Sequence, residues 1–386
     1  MNASTEFISV VPGASPGVEL KPLSRGARSV LDYLLKSGGG SQASLSAAAD
    51  ISQPQVARLI KGLQEDGLVE LTSRKTQRRG NPSVHVALNP DHAYGLGVAI
   101  TDDTVSVTLL DLAGRVRASV TAAPASMEPE PLLQELGRLQ RSAIEAAQID
   151  AGRIVGAGIG FAGYFVDAPA RINPADALRG WMGLDIEEHV SATLGMPTIL
   201  DNGATTGAIA ESLLGVGRRC GTFAYYQFTN GFGGGLIADG KVIRGHLGNA
   251  GDFSGVSWLL GDPYPNLRLL LKTVNEYGAA YARVEDMVRH IDLATPGVAE
   301  WMDTVRAPLA KLTFLLGHTF APEKVVIGGR LPRAINLALA DSIVLPRTPS
   351  RHELSFPLPQ IVASEVDGDA TAIGAAMMPL RQHFFL

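Results

Sequence analysis

The sequence predicts an α/β protein in which an N-terminal winged helix-turn-helix precedes two α/β lobes that share a cleft. Three observations predict this class. Apolar side chains recur at helical spacing from Ser24 to Leu63, two alternating apolar runs then enclose a basic loop, and strand and helix patterns follow beyond Pro90. A chain of 386 residues with 46% hydrophobic residues can bury two or three separate cores.

The composition excludes several other classes of protein. Cys220 is the only cysteine, which excludes an intramolecular disulfide and a cysteine-cluster metal site. The first residues lack the basic and apolar pattern of a secretory signal, and no stretch of about 18 uninterrupted apolar residues suggests a membrane span. We therefore expect a cytoplasmic protein that does not associate with a membrane.

The charge is unevenly distributed. The net charge is −5, yet the segment from Lys21 to Pro90 holds ten basic and five acidic residues. The rest of the chain is therefore acidic. A basic N-terminal module on an acidic body indicates that only the small module meets a polyanion.

The N-terminal region reads as a tail followed by helices. Residues 1–22 are rich in Pro and Gly, and we expect them to be disordered. Residues 23–90 are predicted to form the winged helix-turn-helix. Its first helix starts near Ser24, places apolar residues 30–35 on one face and ends at Gly38, and a second short helix starts at Ser41.

The third helix of this module has complete start signals. Ser52 and Gln55 fit a capping box, and Ile51 can pack on Val56 as a hydrophobic staple. Two alternating runs, 67–71 and 84–88, then predict a β-hairpin wing whose loop has four cations and no acid. The residues predicted to contact DNA are Ser52, Gln53, Gln55, Arg58, Lys61, Arg74, Lys75, Arg78 and Arg79.

A second interpretation of this module is a protein-interaction domain with a solvated basic loop. The order of its parts, three helices and then a basic hairpin, favours double-stranded DNA as the partner. Two lobes are predicted beyond it. The first comprises residues 91–200 and 366–386, and the second comprises residues 201–365.

The stretch from Met196 to Glu211 is the predicted ligand corner. An apolar run ends in Asp201-Asn202-Gly203, and a helix of small residues follows. In α/β sheets, ligands bind where a strand gives way to a helix.

These residues resemble the ROK family, named for repressors, open reading frames and kinases, which has the two-lobed actin-like fold of sugar kinases and Hsp70. The resemblance covers the chain from about Ser24 to Leu380. It is carried by several segments together: Leu194–Pro197 leading to Asp201-Asn202, Ala210–Gly215, Gly231–Gly235, Asp239–Gly245, Gly248–Asp252, Val326–Gly329 and Asp369–Ala375. Family members with a winged helix look like sugar-responsive transcription regulators, and those without it are mostly sugar kinases.

The departures from the family pattern concern catalysis. The resemblance implies that the kinases carry an Asp as general base after the Asn, and here this position is Gly203. Without that carboxylate, general-base assistance of about 10²–10⁴-fold is lost. The first phosphate loop corresponds to Ala99–Thr104, where the two glycines of the family pattern are missing and the carboxylates of Asp102 and Asp103 would repel a polyanion. Productive binding of Mg-ATP is therefore not expected. We therefore predict no catalytic residue and no cofactor.

A third departure concerns zinc. The family commonly has a His and a cysteine cluster after the position of Asp252, whereas this chain has Gly255 at the His position and no cysteine downstream. A tetrahedral site needs about four nitrogen or sulfur ligands, so no metal is predicted.

The remaining effector-site residues are Gly163, Asn202 and Asp252, with Trp181 nearby in the motif order. The alternatives are that Asn202 caps the following helix, Asp252 ties a turn and Trp181 belongs to the core. The glycines from Gly231 to Gly235 read better as a tight turn kept for packing than as a phosphate cradle. Because Gly203 removes a carboxylate, an effector bulkier than a free hexose, such as a sugar phosphate, is a further hypothesis.

The sequence therefore predicts a DNA-binding transcriptional regulator, a repressor of carbohydrate-metabolism genes that responds to a sugar or sugar phosphate. A homodimer or homotetramer on a symmetric operator is expected. Two alternatives stay open: an ATP-dependent sugar kinase with atypical catalytic residues, and a DNA-binding scaffold that has lost its ligand.

Overall fold

A computed structural model describes residues 20–73, 84–167, 171–256, 264–346 and 355–386. The predicted disordered tail lies almost entirely outside these residues. So do Arg74, Lys75, Arg78 and Arg79, the predicted phosphate contacts of the wing. None of the described helices is long and apolar enough to cross a membrane.

The N-terminal module has three helices and a three-stranded sheet. Its elements are α1 (Arg25–Ser37), β1 (Gly40–Ser41), α2 (Gln42–Ala49), α3 (Gln53–Glu65), β2 (Val69–Ser73) and β3 (Val84–Leu88). The sheet has the antiparallel order β1-β3-β2. Gly38 ends α1 in a left-handed conformation with φ of 72°, which glycine adopts without strain. The predicted winged helix-turn-helix is therefore confirmed.

The first lobe is built on a five-stranded sheet with the order β10-β7-β4-β5-β6. Its elements are β4 (Tyr94–Ile100), β5 (Val105–Asp111), β6 (Val116–Ala122), α4 (Pro129–Ala147), β7 (Ile154–Phe161), α5 (Ile186–Leu194) and β10 (Thr198–Asn202). A separate hairpin, β8 (Gly163–Asp167) with β9 (Arg171–Pro174), follows β7. Strands β4, β5 and β7 are buried throughout, because helices cover the sheet.

The second lobe is built on a five-stranded sheet with the order β13-β12-β11-β14-β15. Its elements are α6 (Gly203–Leu214), β11 (Phe223–Phe228), β12 (Phe232–Ala238), β13 (Lys241–Ile243), α7 (Leu267–Glu276), α8 (Val284–Val288), α9 (Val298–Thr319), β14 (Lys324–Gly329), α10 (Arg333–Ser342) and β15 (Gln360–Ala363). A final helix, α11 (Ala370–Phe384), returns the chain to the first lobe.

Helices α6 and α11, which we call the connecting helices, carry the chain between the two sheets and touch each other. A Cβ atom added at Gly374 of α11 would lie 1.7 Å from the carbonyl oxygen of Thr206 in α6. A Cβ atom added at Gly97 of β4 would lie 1.8 Å from the carbonyl oxygen of Ala372. Helix α11 therefore lies directly on the first sheet and on α6, and only glycine permits these approaches.

Two sequence expectations differ from the observed elements. The predicted division between the lobes at residues 200 and 201 falls inside β10, whose five residues all pair with β7. The polar Asp201-Asn202 pair resembles a loop in the sequence, but the first sheet extends through it. The segment from Gly231 to Gly235 was expected to be a tight turn, whereas Gly233, Gly234 and Gly235 lie within strand β12.

Candidate functional site

A cleft between the lobes brings together residues from widely separated parts of the chain. Its cavity has a volume of about 270 Å³. This lies just below the roughly 300–1,000 Å³ typical of sites for drug-sized ligands, and it suits a small ligand. Gly163, Asn202 and Asp252, the three residues predicted to contact an effector, all border the cavity. Ligand contact itself stays a prediction.

Asn202 links the helix start to the wall of the cleft. Its Oδ1 accepts hydrogen bonds from the backbone N–H groups of Ala204 at 2.8 Å and Thr205 at 3.1 Å, so it is the N-cap of α6. Its Nδ2 donates to the carbonyl oxygen of Gly163 at 2.5 Å. The capping role considered from the sequence is confirmed. The second N–H of Nδ2 is the group that can donate to a ligand.

Asp252 also has a structural role. Its Oδ1 accepts from the backbone N–H of Ser254 at 2.9 Å, which confirms the expected turn. Tyr264 lies nearby on the cleft wall and donates its hydroxyl to the carbonyl oxygen of Phe232 at 2.7 Å. Burial, followed by the charge of Asp252, raises the pKa of Tyr264, so this hydroxyl stays a donor at neutral pH. The other carboxylate oxygen of Asp252 can accept from a ligand hydroxyl.

Gly203 leaves open space at the predicted ligand corner. A Cβ atom at this position would meet Thr371 Cγ2 at 3.5 Å and the carbonyl oxygen of Phe161 at 3.7 Å, which are ordinary contacts. Packing therefore does not require glycine here. Among the described residues that border the cleft, Asp102 and Asp252 are the charged ones, and none is Lys, Arg or His.

Two polar contacts between the lobes were not revealed by the sequence. The buried carboxylate of Asp201 pairs with Arg244 Nη1 at 2.7 Å. Burial raises the pKa of Asp201, and the Arg244 guanidinium opposes this rise. Asn249 makes two hydrogen bonds with the backbone of Phe165, accepting at 2.9 Å and donating at 2.6 Å. Only the fold brings these partners together, so motif order gave no signal for them.

Other residues singled out in the sequence have packing roles. Trp181 is 1% exposed, packs on Phe161 and donates its indole N–H to the carbonyl oxygen of Met127, so it is a core residue. A Cβ atom at Gly234 would lie 2.2 Å from the carbonyl oxygen of Tyr225. Close packing therefore explains this glycine. No group of three or more His, Cys, Asp or Glu side chains within the described ranges could hold a metal ion.

The third helix of the winged helix presents a polar face to solvent. Gln53, Arg58 and Lys61 are exposed along α3, while Val56, Ile60 and Leu63 are buried beneath it. Gln55 Oε1 accepts from the backbone N–H of Ser52 at 3.1 Å and from its hydroxyl at 3.0 Å. Ser52 and Gln55 therefore fix the start of the helix, and the face that can meet DNA begins at Gln53.

The winged helix packs against the ends of both connecting helices. Arg28 of α1 donates to the carbonyl oxygen of Phe385, just beyond α11, at 3.1 Å. Arg218, just beyond α6, donates to the carbonyl oxygen of Lys36 at 2.6 Å. Buried residues of α1, including Leu35, belong to the same hydrophobic cluster as Leu213 of α6. The N-terminal module is thus joined to both helices that carry the chain between the lobes.

Comparison with protein families matches the two parts of the chain separately. The ROK family matches residues 95–255, and the MarR family matches residues 22–80. The protein therefore has a ROK family domain preceded by a MarR-like winged helix domain.

Individual relatives match most of the chain. The xylose repressor of Bacillus spizizenii is 23% identical over 92% of this chain and 94% of its own length. The crystal structure of a ROK family transcriptional regulator, a homologue of the E. coli MLC protein, covers 93% of this chain and 95% of that chain with 20% identity and a TM-score of 0.59. A ROK family glucokinase from Streptomyces griseus, crystallised with glucose and AMPPNP, covers 74% of this chain and 99% of that chain with 21% identity and a TM-score of 0.55. These structural likenesses confirm the predicted two-lobed fold.

Proposed function

We propose that this protein is a DNA-binding transcriptional regulator, a repressor of carbohydrate-metabolism genes that responds to a sugar in the interlobe cleft. The observation that carries the proposal is the joining of a MarR-like winged helix domain to a ROK domain, an organisation that matches a xylose repressor along 94% of its length. A homodimer or homotetramer would place two such modules on a symmetric operator.

Footprinting on the promoter region of its own gene tests DNA binding. The protein is expected to protect a site at moderate salt. Arg58→Ala should cost about 1–3 kcal/mol of binding and relax the base preference, because Arg58 lies exposed on the third helix and can read a base edge. Arg141→Ala, which removes an exposed arginine from α4, is the control and should bind as wild type. A folded wild-type protein that protects no site would contradict the proposal.

The effector is proposed to be a neutral sugar rather than a sugar phosphate. The described border of the cleft holds no cation, and residues 257–263 contain no basic residue. Of its two carboxylates, Asp102 is paired with Arg268, whereas Asp252 forms no ion pair with a described residue and is the charge that a ligand phosphate would meet. A phosphate about 4 Å from a carboxylate is repelled by a few kcal/mol at intermediate dielectric. This charge balance argues against the sugar phosphate considered from the sequence.

Calorimetry with matched pairs of a sugar and its phosphate tests this assignment. The free sugar is expected to bind at least about tenfold more tightly than its phosphate, because repulsion of a few kcal/mol corresponds to that factor or more. Raising the ionic strength should narrow the difference in affinity between the sugar and its phosphate, since salt screens the repulsion between the phosphate and the carboxylate. Tighter binding of the phosphate would show that a cation outside the described border reaches the site.

A sugar kinase is the second candidate, favoured by the likeness to the glucokinase fold. We propose that catalysis has been lost, because Gly203 carries no carboxylate and Arg268 is paired with Asp102 in the first loop. A coupled phosphorylation assay over a sugar panel should show no turnover above background. Turnover that Asn202→Ala abolishes would establish the kinase instead. If no sugar changes the melting temperature and the operator is still bound, the protein is a ligand-independent scaffold.

A further inference from the structure

Three arginines of the second lobe meet one loop of the first lobe at the edge of the cleft. The loop joins β4 to β5 and contains Asp102 and Asp103. Arg268 lies on α7, Arg283 directly precedes α8, and Arg330 directly follows β14. These contacts join residues 166 to 227 positions apart in the chain. The two lobes therefore meet here through ionic and polar contacts.

Arg330 forms the most buried of these contacts. Its Nη1 lies 2.7 Å from Asp103 Oδ1, and the two side chains are only 16% and 14% exposed. Its Nη2 pairs with Glu285 of its own lobe. Burial alone would lower the pKa of Arg330, but Asp103 and Glu285 hold it above its ordinary value. This arginine is therefore a fixed positive charge facing the first lobe.

Arg268 and Arg283 add contacts on either side of this pair. Arg268 Nη2 donates to Asp102 Oδ2 at 2.8 Å. Arg283 Nη2 donates to the carbonyl oxygen of Asp103 at 2.7 Å, and its Nη1 donates to the carbonyl oxygen of Ala123 at 3.2 Å. Ala123 also belongs to the first lobe. Every one of these bonds would break if the lobes moved apart.

We propose that Arg268, Arg283 and Arg330, with Asp102 and Asp103, form an ionic clamp that holds the lobes closed over the cleft without a nucleotide or a sugar. Removing a single partner from a buried pair is costly, because the other charge is left without compensation. Opening of the lobes is less costly. Glu285 stays with Arg330, and the freed aspartates gain water. The clamp is therefore reversible.

The clamp adjoins the site where a ligand would sit. Asp102 borders the cavity, and so does Asn230, whose Oδ1 accepts from Arg330 Nη1 at 3.5 Å. A ligand that enters the cleft thus meets residues that also hold the lobes together. The clamp does not depend on the identity of the effector, and its test needs none.

Double electron–electron resonance, which measures the distance between two spin labels, tests the clamp in the full chain. Labels at Ala125→Cys in the first lobe and Ala280→Cys in the second lobe occupy exposed positions, with Cys220→Ser removing the native thiol. Dilution with unlabelled protein removes distances between chains. The parent protein should show one narrow distance, whereas Arg330→Gln and Arg268→Gln should add a longer and broader population.

Lys272→Gln is the matched control. It also removes one positive charge from α7, but Lys272 pairs with Glu276 of the same helix, so no contact across the cleft is lost. It should retain the narrow distance. If Arg330→Gln does not fold, Arg268→Gln and Asp102→Asn carry the test, since Arg268 is half exposed. In these variants, half a molar NaCl should increase the open population further, because salt screens the remaining exposed pairs. Folded Arg268→Gln and Asp102→Asn with the parent's distance distribution would overturn the proposal.

Discussion

Alanine in place of Gly374 is expected to lower the free energy of unfolding by about 3 kcal/mol or more, since overpacking against backbone cannot relax by a change of rotamer. The added Cβ atom would lie 1.7 Å from the carbonyl oxygen of Thr206 and 2.6 Å from its carbonyl carbon. Both atoms belong to the backbone of α6. The connecting helices would have to separate along a contact that lies between the two sheets. Urea unfolding followed by circular dichroism measures the change.

Gly62→Ala is the matched control, because Gly62 is also a helical glycine. A Cβ atom there has no heavy atom within 4 Å among the described residues. Since alanine is the better helix former, this variant should be more stable than wild type by up to about 1 kcal/mol. If Gly374→Ala proves as stable as wild type, the connecting helices do not approach as closely as the structure shows.

Local patterns accounted for much of the fold. The capping residues Ser52 and Gln55, the terminating Gly38 and the alternating strand β3 of the wing are determined by neighbours in sequence, so the chain order revealed them. Gly374 belongs to the segment Asp369–Ala375, which carries the family resemblance, but the sequence did not show why a glycine is needed at this position. The contact with Thr206 joins helices that are far apart in the chain, and no periodicity signals it.

The candidate site was predicted only in part, because some of its contacts also join residues that are far apart in the chain. The order of motifs grouped Gly163, Asn202 and Asp252, and these residues do border one cavity. Asp102 and Asp103 were interpreted from the sequence as carboxylates that would repel a polyanion. The structure shows that Arg268 and Arg330 face them across the cleft. Partners so far apart in sequence become evident only when the lobes are placed together.

Replacing both Arg28 and Arg218 by alanine is expected to uncouple sugar binding from operator binding. The proposed regulator needs a coupling of about 1–3 kcal/mol, equivalent to roughly 5–150-fold in operator affinity. Arg28 and Arg218 fasten α1 to the ends of α11 and α6, the two helices whose crossing would change with the angle between the lobes. Without these bonds, sugar should change the operator Kd by no more than about threefold, while each ligand still binds.

Fluorescence anisotropy with labelled operator, with and without a saturating sugar chosen by calorimetry, measures this coupling. Because coupling is reciprocal, the effect of operator on the sugar Kd must fall by the same factor, which distinguishes uncoupling from damage to either site. Arg25→Ala, which removes an exposed arginine from the same helix, should keep the wild-type coupling. Full coupling in the folded double variant would mean that the hydrophobic contact between α1 and α6 transmits the change by itself. That contact lies in the cluster shared by Leu35 and Leu213, so truncating Leu213 would be the next test.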